Sequence, residues 1–510
     1  MDIKCSSGSL NHDQQLASYL DNVETCPARS ITIMRRSIAS VVALSTAVVN
    51  GAALQSDYTP LVTSESIRTL IHEDALAAKA DHLQDIAYST PGNNRVIGSE
   101  GHQGTIDWIY DEIAAFPDYY HLELQPWPIL VGTSANLSAN GKDIEGYAVT
   151  LAPGGTVSGP LKAVPNLGCE EADFAEDLTD SIAIIFRGTC EFGIKVGLAV
   201  SHGAIGVVAY NNGDGTLEGY SLQKFENATT PYVPTVGITQ GAGESLVAQL
   251  EAGTEITVEL TTAVENATTY NVIAQTKAGD QDNVIHIGGH SDSVAAGPGI
   301  NDNGSGTISL LEIALQLTKF TVNNAVRFSW WSAEEAGLLG ATYYVLQLSQ
   351  AEKDKIRLFL DFDMMASPNY AFQIYDGDGS TYNLTGPAGS AEAEAEFTHY
   401  FADIAGVNHT EIEFDGRSDY GPFLEAGIAA GGIAGGAEGL KTEEEEAMFG
   451  GAAGVQYDVN YHEDGDTTNN MTATYAQSFD SLPPKNSTTL GKRSIGYTGW
   501  KNTRGFLKRV

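Results

Sequence analysis

Basic residues are scarce in this sequence. Its 27 Lys and Arg stand against 65 Asp and Glu, so the formal net charge is −38 at pH 7. A surface this acidic repels the phosphates of nucleic acids and of anionic membranes, and we expect neither as a partner. Long apolar runs and internal repeats are also missing, and no segment reaches the ~20 apolar residues that a membrane-spanning helix needs. The chain is nevertheless long enough for a large core and more than one domain.

One short apolar run does occur near the N-terminus, in MRRSIASVVALSTAVVNGAALQ from Met34. Two arginines precede it and small residues follow, an order typical of a secretory signal peptide. We therefore expect an upstream extension at 1–33, a signal peptide at 34–53, and a pro-segment or N-terminal arm at 54–75. Glycosylation sequons fit export to the exterior, or to a vacuole as the alternative. They begin at Asn136, Asn227, Asn266, Asn303, Asn383, Asn408, Asn470 and Asn486.

Cysteine is rare as well. Cys5 and Cys26 precede the expected signal peptide, which leaves Cys169 and Cys190 in the mature chain. In an oxidising compartment such a pair is most simply a disulfide, and two free buried thiols are the alternative.

The texture of the chain changes twice. Residues 76–130 contain helical patterns, whereas 131–268 consist of short β-runs between Gly, Asn and Pro turns with one clear helix, which predicts a small β-rich domain. Residues 269–485 alternate strand and helix, which predicts an α/β fold with a mostly parallel central sheet flanked by helices. Functional residues are then expected at the carboxyl ends of the strands. The basic tail, 486–510, receives no function.

Four motifs follow apolar strands in the α/β part: HIGGHSDSVAAGPGINDNGSG, WSAEEAGLLGA, FLDFDMMASPNY and DVNYHEDGDT. Together they supply two histidines and several carboxylates. Imidazole and carboxylate suit Zn²⁺, and a shared carboxylate can bridge two ions ~3.5–4 Å apart. Singly, each residue could be a cap or a charge at a helix end. Their joint occurrence in one α/β order predicts a two-metal site.

These motifs, with FDGRSDYGPF, resemble the di-zinc aminopeptidases of family M28, in particular the secreted and vacuolar enzymes of fungi, over roughly residues 58–480. GCEEADF and IAIIFRGTCEFGIK resemble the protease-associated domain that such enzymes carry as an insert. The resemblance implies a zinc-peptidase fold, related to phosphorylases and hydrolases, with that domain at 131–268. It also favours the Cys169–Cys190 bridge over free thiols.

Site roles follow from the same resemblance. It implies two Zn²⁺ per chain, one held by His290 and Asp363 and the other by Glu335 and His462, with Asp302 bridging them.

The resemblance also implies roles beside the metals. Asp292 would orient the imidazole of His290. Glu334 would be the general acid/base, and Tyr461 would donate a hydrogen bond to the oxyanion. The Arg417–Asp419 segment either shapes the substrate pocket or is structural. Asn303, beside the bridging carboxylate, is not expected to be glycosylated.

The sequence departs from the family in two places. Asp361 stands where the family usually has Asn, and it adds a carboxylate near the metals. Asp363 remains the expected ligand, because only the second of these two residues lies at the strand's end. Some relatives flank the final histidine with a cysteine pair, and Asn460 and Gly465 occupy those places here.

We expect a monomeric enzyme that acts on peptides and removes N-terminal residues, preferably apolar ones such as leucine. Carboxypeptidases and glutaminyl cyclases share the fold, but the cyclases use one metal and both ligand sets are complete here. An inactive receptor-like protein of the same architecture is a third interpretation, against which the intact Glu334 and the five ligands argue.

The small residues after the apolar run predict where the chain is cleaved on export. We expect the exported chain to begin after residues 51–53, because the small residues that follow the apolar run form a cleavage site. N-terminal sequencing or intact mass of the secreted protein measures this. A mature chain that still contains Cys5 contradicts it.

Overall fold

The computed structural model describes residues 59–174, 177–213, 220–222 and 232–471. The expected upstream extension, signal peptide and basic tail lie outside these residues. Within them, no helix combines the length and the apolar character that crossing a membrane requires.

Fourteen strands form within the described residues: β1 Tyr120–Ala139, β2 Lys142–Ile144, β3 Tyr147–Ala148, β4 Gly155–Ala163, β5 Ile182–Phe186, β6 Gly206–Tyr210, β7 Thr235–Ile238, β8 Thr257–Thr276, β9 Asp280–His290, β10 Asn324–Trp331, β11 Ile356–Asp363, β12 Gln373–Tyr375, β13 Thr410–Ile412 and β14 Ala430–Ala434. The α-helices are α1 Ser64–Arg68, α2 Glu73–Tyr88, α3 Glu100–Ala114, α4 Phe192–Ser201, α5 Gln240–Glu251, α6 Gly304–Leu317, α7 Leu339–Gln347, α8 Gln350–Lys353, α9 Ser390–His399, α10 Gly421–Glu425 and α11 Glu443–Phe449.

The centre of the peptidase part is parallel. Strand β9 pairs in parallel with β10 on one side and with β11 on the other, and β11 pairs in parallel with β14. Antiparallel pairs flank this centre, β8 against β10 at one end and β12 against β14 at the other. The predicted fold class is therefore confirmed. The carboxyl ends of β9, β10, β11 and β14 lie at the same edge of the sheet.

Both faces of this sheet are covered, which explains the continuous apolar run AVRFSWW in β10. Trp330 packs with α3 and α6 on one face, and Trp331 packs with Tyr344, Phe359 and Phe423 on the other. Successive strand residues point to opposite faces, so both tryptophans are fully buried. Helix α6 begins at the Asn303 N-cap, whose side chain accepts a hydrogen bond from the Gly306 amide.

The insert is joined to the peptidase part through two long strands. Strands β1 and β8 are 20 residues each, and they pair antiparallel from the peptidase sheet into the insert. One end of β8 pairs with β10, and its other end pairs with β4. The domain limits expected at residues 130/131 and 268/269 fall inside these continuous strands. The apolar pattern carries no break there, because the chain makes no turn.

The insert has its own sheet, in which β4, β5, β6 and β7 run parallel and β3 closes one edge antiparallel. Helices α4 and α5 pack with it. The sequence pattern indicates only α4, because QGAGESLVAQLE in α5 begins with small and polar residues and buries only Gly243 and Leu246.

Cys169 and Cys190 form a disulfide, with their Cα atoms 5.8 Å apart. The bridge ties the loop after β4 to the loop after β5. The buried Lys195 ammonium lies 3.4 Å from the Cys169 sulfur.

Replacing both cysteines by serine is expected to lower the free energy of unfolding by about 3 kcal/mol, because the bridge restricts the unfolded chain. Thermal or urea unfolding measures the change. We expect kcat/KM for a leucine anilide to stay close to that of the parent, since the bridge contacts no residue of the site below. Two titratable thiols in the mature, denatured and unreduced parent protein, which lacks Cys5 and Cys26, or an unchanged unfolding midpoint in the variant, would contradict the prediction.

Candidate metal centre

The parallel strands deliver four of the predicted site residues to one edge. His290 is the last residue of β9 and Asp363 the last of β11. Glu334 and Glu335 occupy the turn that follows β10. Because the carboxyl ends of these strands are neighbours, side chains that are far apart in sequence meet here.

Asp302 joins the two histidines. Its Oδ1 lies 3.3 Å from Nε2 of His290, and its Oδ2 lies 3.1 Å from Nε2 of His462. On the first side, Asp363 Oδ1 is 3.5 Å from the same His290 nitrogen. On the second side, Glu335 Oε2 is 3.0 Å from His462 Nε2. One carboxylate thus belongs to two groups of three potential ligands.

These two groups fit metal ions. In each group the potential ligand atoms lie within 4.8 Å of one another. Three of the buried atoms, His290 Nε2, Glu335 Oε1 and Asp363 Oδ1, have no hydrogen-bond partner within the described part of the chain. Polar atoms left in this way cost free energy. A cation with affinity for imidazole and carboxylate, such as Zn²⁺, would satisfy them.

The electrostatics of the protein groups lead to the same fit. Burial would lower the pKa of His290, but the carboxylates of Glu334 and Asp363 raise it well above its usual value. Burial likewise opposes protonation of His462, yet Glu335 and Asp302 raise its pKa to about 10. The imidazoles therefore hold protons at neutral pH when only protein groups surround them. Metal binding would displace those protons, so metal affinity should decrease as the pH is lowered and increase as it is raised.

Glu334 differs from its neighbour. Its Oε2 lies 3.8 Å from His290 Nε2, on the same side as Asp363. Burial raises the pKa of Glu334 well above the usual range, and the nearby Glu335 carboxylate raises it further. A buried carboxyl group with a raised pKa is suited to accepting and releasing a proton near neutral pH.

Asp292 connects His290 to the glutamate turn. The Nδ1 of His290 faces Asp292, at 3.2 Å from its backbone oxygen and 3.6 Å from its Oδ1. The same Oδ1 accepts a hydrogen bond from the Glu334 amide at 3.1 Å. One carboxylate therefore holds both the imidazole and the turn after β10.

Backbone conformation also shapes the site. Ala333, Met364 and His462 have φ angles of 60°, 49° and 59°. L-residues seldom adopt this left-handed region, which costs of order 1–3 kcal/mol at each position. Each of the three is a site residue or the immediate neighbour of one. Tertiary contacts impose these turns, and no sequence pattern announces them.

Two supporting residues received no role from the sequence. The fully buried Arg95 donates from Nε to Pro298 O at 2.8 Å, from Nη2 to Gly299 O at 2.5 Å, and from Nη1 to Ser291 O. Burial lowers its pKa to about 10, so it remains charged. Arg95 thereby fixes the loop between His290 and Asp302. Its stretch, STPGNNRVIGSEG, reads as turns, and nothing in it identifies partners some two hundred residues away.

Asp466 is the second supporting residue. Its Oδ1 accepts from the Asn301 amide at 2.7 Å, and its Oδ2 accepts from the Asp302 amide at 2.9 Å. Asp466 therefore fixes the backbone that carries the shared carboxylate. The motif DVNYHEDGDT contains it, but the spacing gives no reason to prefer it to Glu463 or Asp464.

Tyr461 stacks on His462, with ring centroids 3.8 Å apart. Nη2 of Arg417 donates to the Tyr461 hydroxyl at 3.2 Å, and Nη1 of Arg417 pairs with Glu438 at 2.8 Å. Because the phenol oxygen accepts this bond, its own proton is free to point elsewhere.

The rest of that loop reaches the other side of the centre. Ser418 Oγ donates to Asp363 Oδ2 at 2.8 Å, and Asp361 accepts from the Tyr420 amide at 3.0 Å. Burial and the nearby Asp363 raise the pKa of Asp361 to about 7. The extra carboxylate noted in the sequence therefore lies behind the expected ligand.

The fold and this cluster define a class: an α/β protein that carries, at the carboxyl edge of its sheet, a buried imidazole and carboxylate site suited to metal. Comparison with known proteins agrees. Residues 271–482 match Peptidase family M28, and residues 157–246 match the PA domain. Leucine aminopeptidase 2 of Arthroderma otae is 45% identical over 90% of this chain and 95% of its own. Probable leucine aminopeptidase 2 of Aspergillus fumigatus is 46% identical over 88% and 92%.

Solved structures share the fold. An aminopeptidase from Aneurinibacillus sp. strain AM-1 superimposes with a TM-score of 0.62 at 27% identity, over 82% of this chain and 94% of its own. BSAP, a zinc aminopeptidase from Bacillus subtilis, gives a TM-score of 0.61 at 23% identity, over 80% and 93%. The chain belongs to peptidase family M28 and carries an inserted PA domain.

Proposed function

We propose that the protein is an exported di-zinc aminopeptidase that hydrolyses the N-terminal peptide bond of peptides and prefers apolar residues such as leucine. The observation that carries this proposal is the shared Asp302, which contributes one oxygen to each of two ligand groups beside a further buried carboxyl group, Glu334. The named fungal relatives and the zinc enzyme of Bacillus subtilis support the substrate class and the metal.

His290 and Asp363 would hold one zinc ion, Glu335 and His462 would hold the other, and Asp302 would bridge them. Bound zinc supplies Lewis acidity, which lowers the pKa of a water molecule and polarises the scissile carbonyl. The protein contributes position, since Arg95, Asp292 and Asp466 hold the loops that carry these groups.

Glu334 handles the proton in this proposal. Its carboxylate lies on the His290 side, close to the two groups of potential metal ligands. It takes a proton from the attacking water and passes it to the leaving amine. Tyr461, whose oxygen is occupied by Arg417, directs its own proton to the oxyanion of the tetrahedral intermediate.

A matched set of substrates tests the activity. The enzyme should release p-nitroaniline from leucine p-nitroanilide but not from the N-acetylated anilide, because an aminopeptidase requires a free amino terminus. A peptide with a blocked N-terminus and a free C-terminus separates this from carboxypeptidase activity. Hydrolysis of that blocked peptide, or no hydrolysis of any of the three by the zinc-loaded protein, contradicts the proposal.

We expect substitutions of the two adjacent glutamates to have different effects on metal content and activity. Glu335→Gln weakens one metal ligand, so metal content should fall towards one zinc per chain and excess zinc should restore part of the activity. Glu334→Gln keeps the shape and both metals, but it should lower kcat by roughly 10²- to 10⁴-fold with little change in KM, and zinc should restore nothing. Elemental analysis and steady-state kinetics of both variants measure these differences.

Glu396→Gln on α9 is the matched control, since it removes an exposed carboxylate with the same chemistry. It should retain the parent's metal content and kcat. Exchanged phenotypes would reverse the two assignments, and full activity of both variants would remove the mechanism.

A further inference from the structure

The insert presents the carboxyl ends of its own parallel strands near the metal centre. Arg187 follows β5 and Asn211 follows β6, two neighbouring parallel strands. The Arg187 amide donates to Tyr210 O at 2.9 Å, and its Nη1 donates to Asn211 Oδ1 at 3.0 Å. Ligands of parallel sheets bind at this end of the strands.

Tyr220 lies against the guanidinium. The Arg187 Cζ is 4.3 Å from the centre of the Tyr220 ring, a cation–π distance. The Tyr220 backbone oxygen accepts from the Thr150 amide at 2.8 Å, and the Leu222 amide donates to Thr150 O at 2.9 Å. The segment 220–222 is thus fixed to the loop after β3, and the aromatic ring fixes the arginine.

This pair adjoins the predicted metal ligands. The side chain of Ser221 donates a hydrogen bond to the backbone oxygen of Ala336, the residue after Glu335. Burial raises the pKa of the Tyr220 phenol, Arg187 lowers it, and the carboxylates of Glu335 and Glu463 raise it further. The Tyr220 ring therefore lies close enough to interact electrostatically with Glu335 and with Glu463, the residue after His462.

Arg187 differs from the other arginines around the site in the groups that surround its positive charge. Arg417 is paired with Glu438, and Arg95 is enclosed by backbone oxygens. Within the described ranges Arg187 forms no ion pair, and its side chain contacts the amide oxygen of Asn211 and both the ring and the hydroxyl of Tyr220. It is a partly exposed cation beside a centre rich in carboxylates, which would otherwise repel an anion.

We infer that Arg187, held by Tyr220 and Asn211, binds the free carboxylate of short peptides, so that the insert favours substrates of one particular short length. This inference rests on the proposed function. A guanidinium matches a carboxylate with two parallel hydrogen bonds. Each added residue moves the carboxylate by up to ~3.6 Å, so a fixed arginine rewards only a narrow range of lengths.

The experiment compares free acids with amides. For Leu-Gly, Leu-Gly-Gly and Leu-Gly-Gly-Gly, kcat/KM is measured for the acid and for its C-terminal amide, and the acid/amide ratio is compared between proteins. In Arg187→Met, which keeps the stem on the ring and removes the charge, the ratio should fall by roughly 10-fold or more at the length the wild type prefers. The change should lie mainly in KM. Arg187→Lys should retain part of the ratio.

Arg357→Met is the matched control, because Arg357 is exposed near the amino end of β11, away from the Asp363 end. It should keep the wild-type ratio at every length. A ratio that is the same in wild type and Arg187→Met, or that falls equally in the control, overturns the inference. An equal loss on acids and amides also overturns it, since that marks a structural effect.

One measurement needs no variant. Glycylglycine should inhibit the wild-type hydrolysis of leucine p-nitroanilide more strongly than glycylglycinamide does, and equal inhibition overturns the inference even if Arg187 variants do not fold. Failure to hydrolyse the anilide at all would instead contradict the proposed function. The two failures are therefore distinguishable.

Discussion

Four carboxylates and two imidazoles converge at the carboxyl edge of the sheet. Removing these charged groups from water costs free energy, which the surrounding structure has to offset. Buried carboxylates this close together repel one another unless protons or cations intervene. The pKa values of His290 and His462 are raised, so protons on the imidazoles can balance the negative charge. Metal ions held by the two ligand groups that share Asp302 would balance it instead. The buried Arg95 and Asp466 hold the connecting loops in place through hydrogen bonds to the backbone.

Both parts of the chain contribute residues around the candidate metal centre. The loop with Arg417 and Tyr461 comes from the peptidase part, and the segment with Tyr220 and Ser221 comes from the insert. Through the hydrogen bond from Ser221 to Ala336, the insert also holds the turn that carries Glu334 and Glu335. In the inference drawn above, the carboxyl ends of the parallel strands of both parts therefore face one site.

Much of this could be predicted from the sequence. The strand-end motifs carry His290, Glu334 and Asp363, because an apolar run followed by polar residues marks the end of a buried strand. The left-handed turns at Ala333 and Met364 could not be predicted, since neither residue favours them and only tertiary contacts impose them. The partners of Arg95 were equally hidden, because they are backbone oxygens and any residue can supply those. Helix α5 could not be predicted for a different reason, since it has too few apolar positions to show a helical period.

The continuous strands β1 and β8 have a consequence for how such a protein can arise and move. The chain enters and leaves the insert through residues that lie opposite one another in the β1–β8 ladder, such as Pro128 and Thr268. A domain added at the tip of an existing hairpin leaves the host's core unchanged, because its two ends are already adjacent and closing the loop costs little extra entropy. The same ribbon resists bending, since bending it would break a ladder of backbone hydrogen bonds. Rotation of the insert relative to the peptidase part is therefore opposed by the backbone itself.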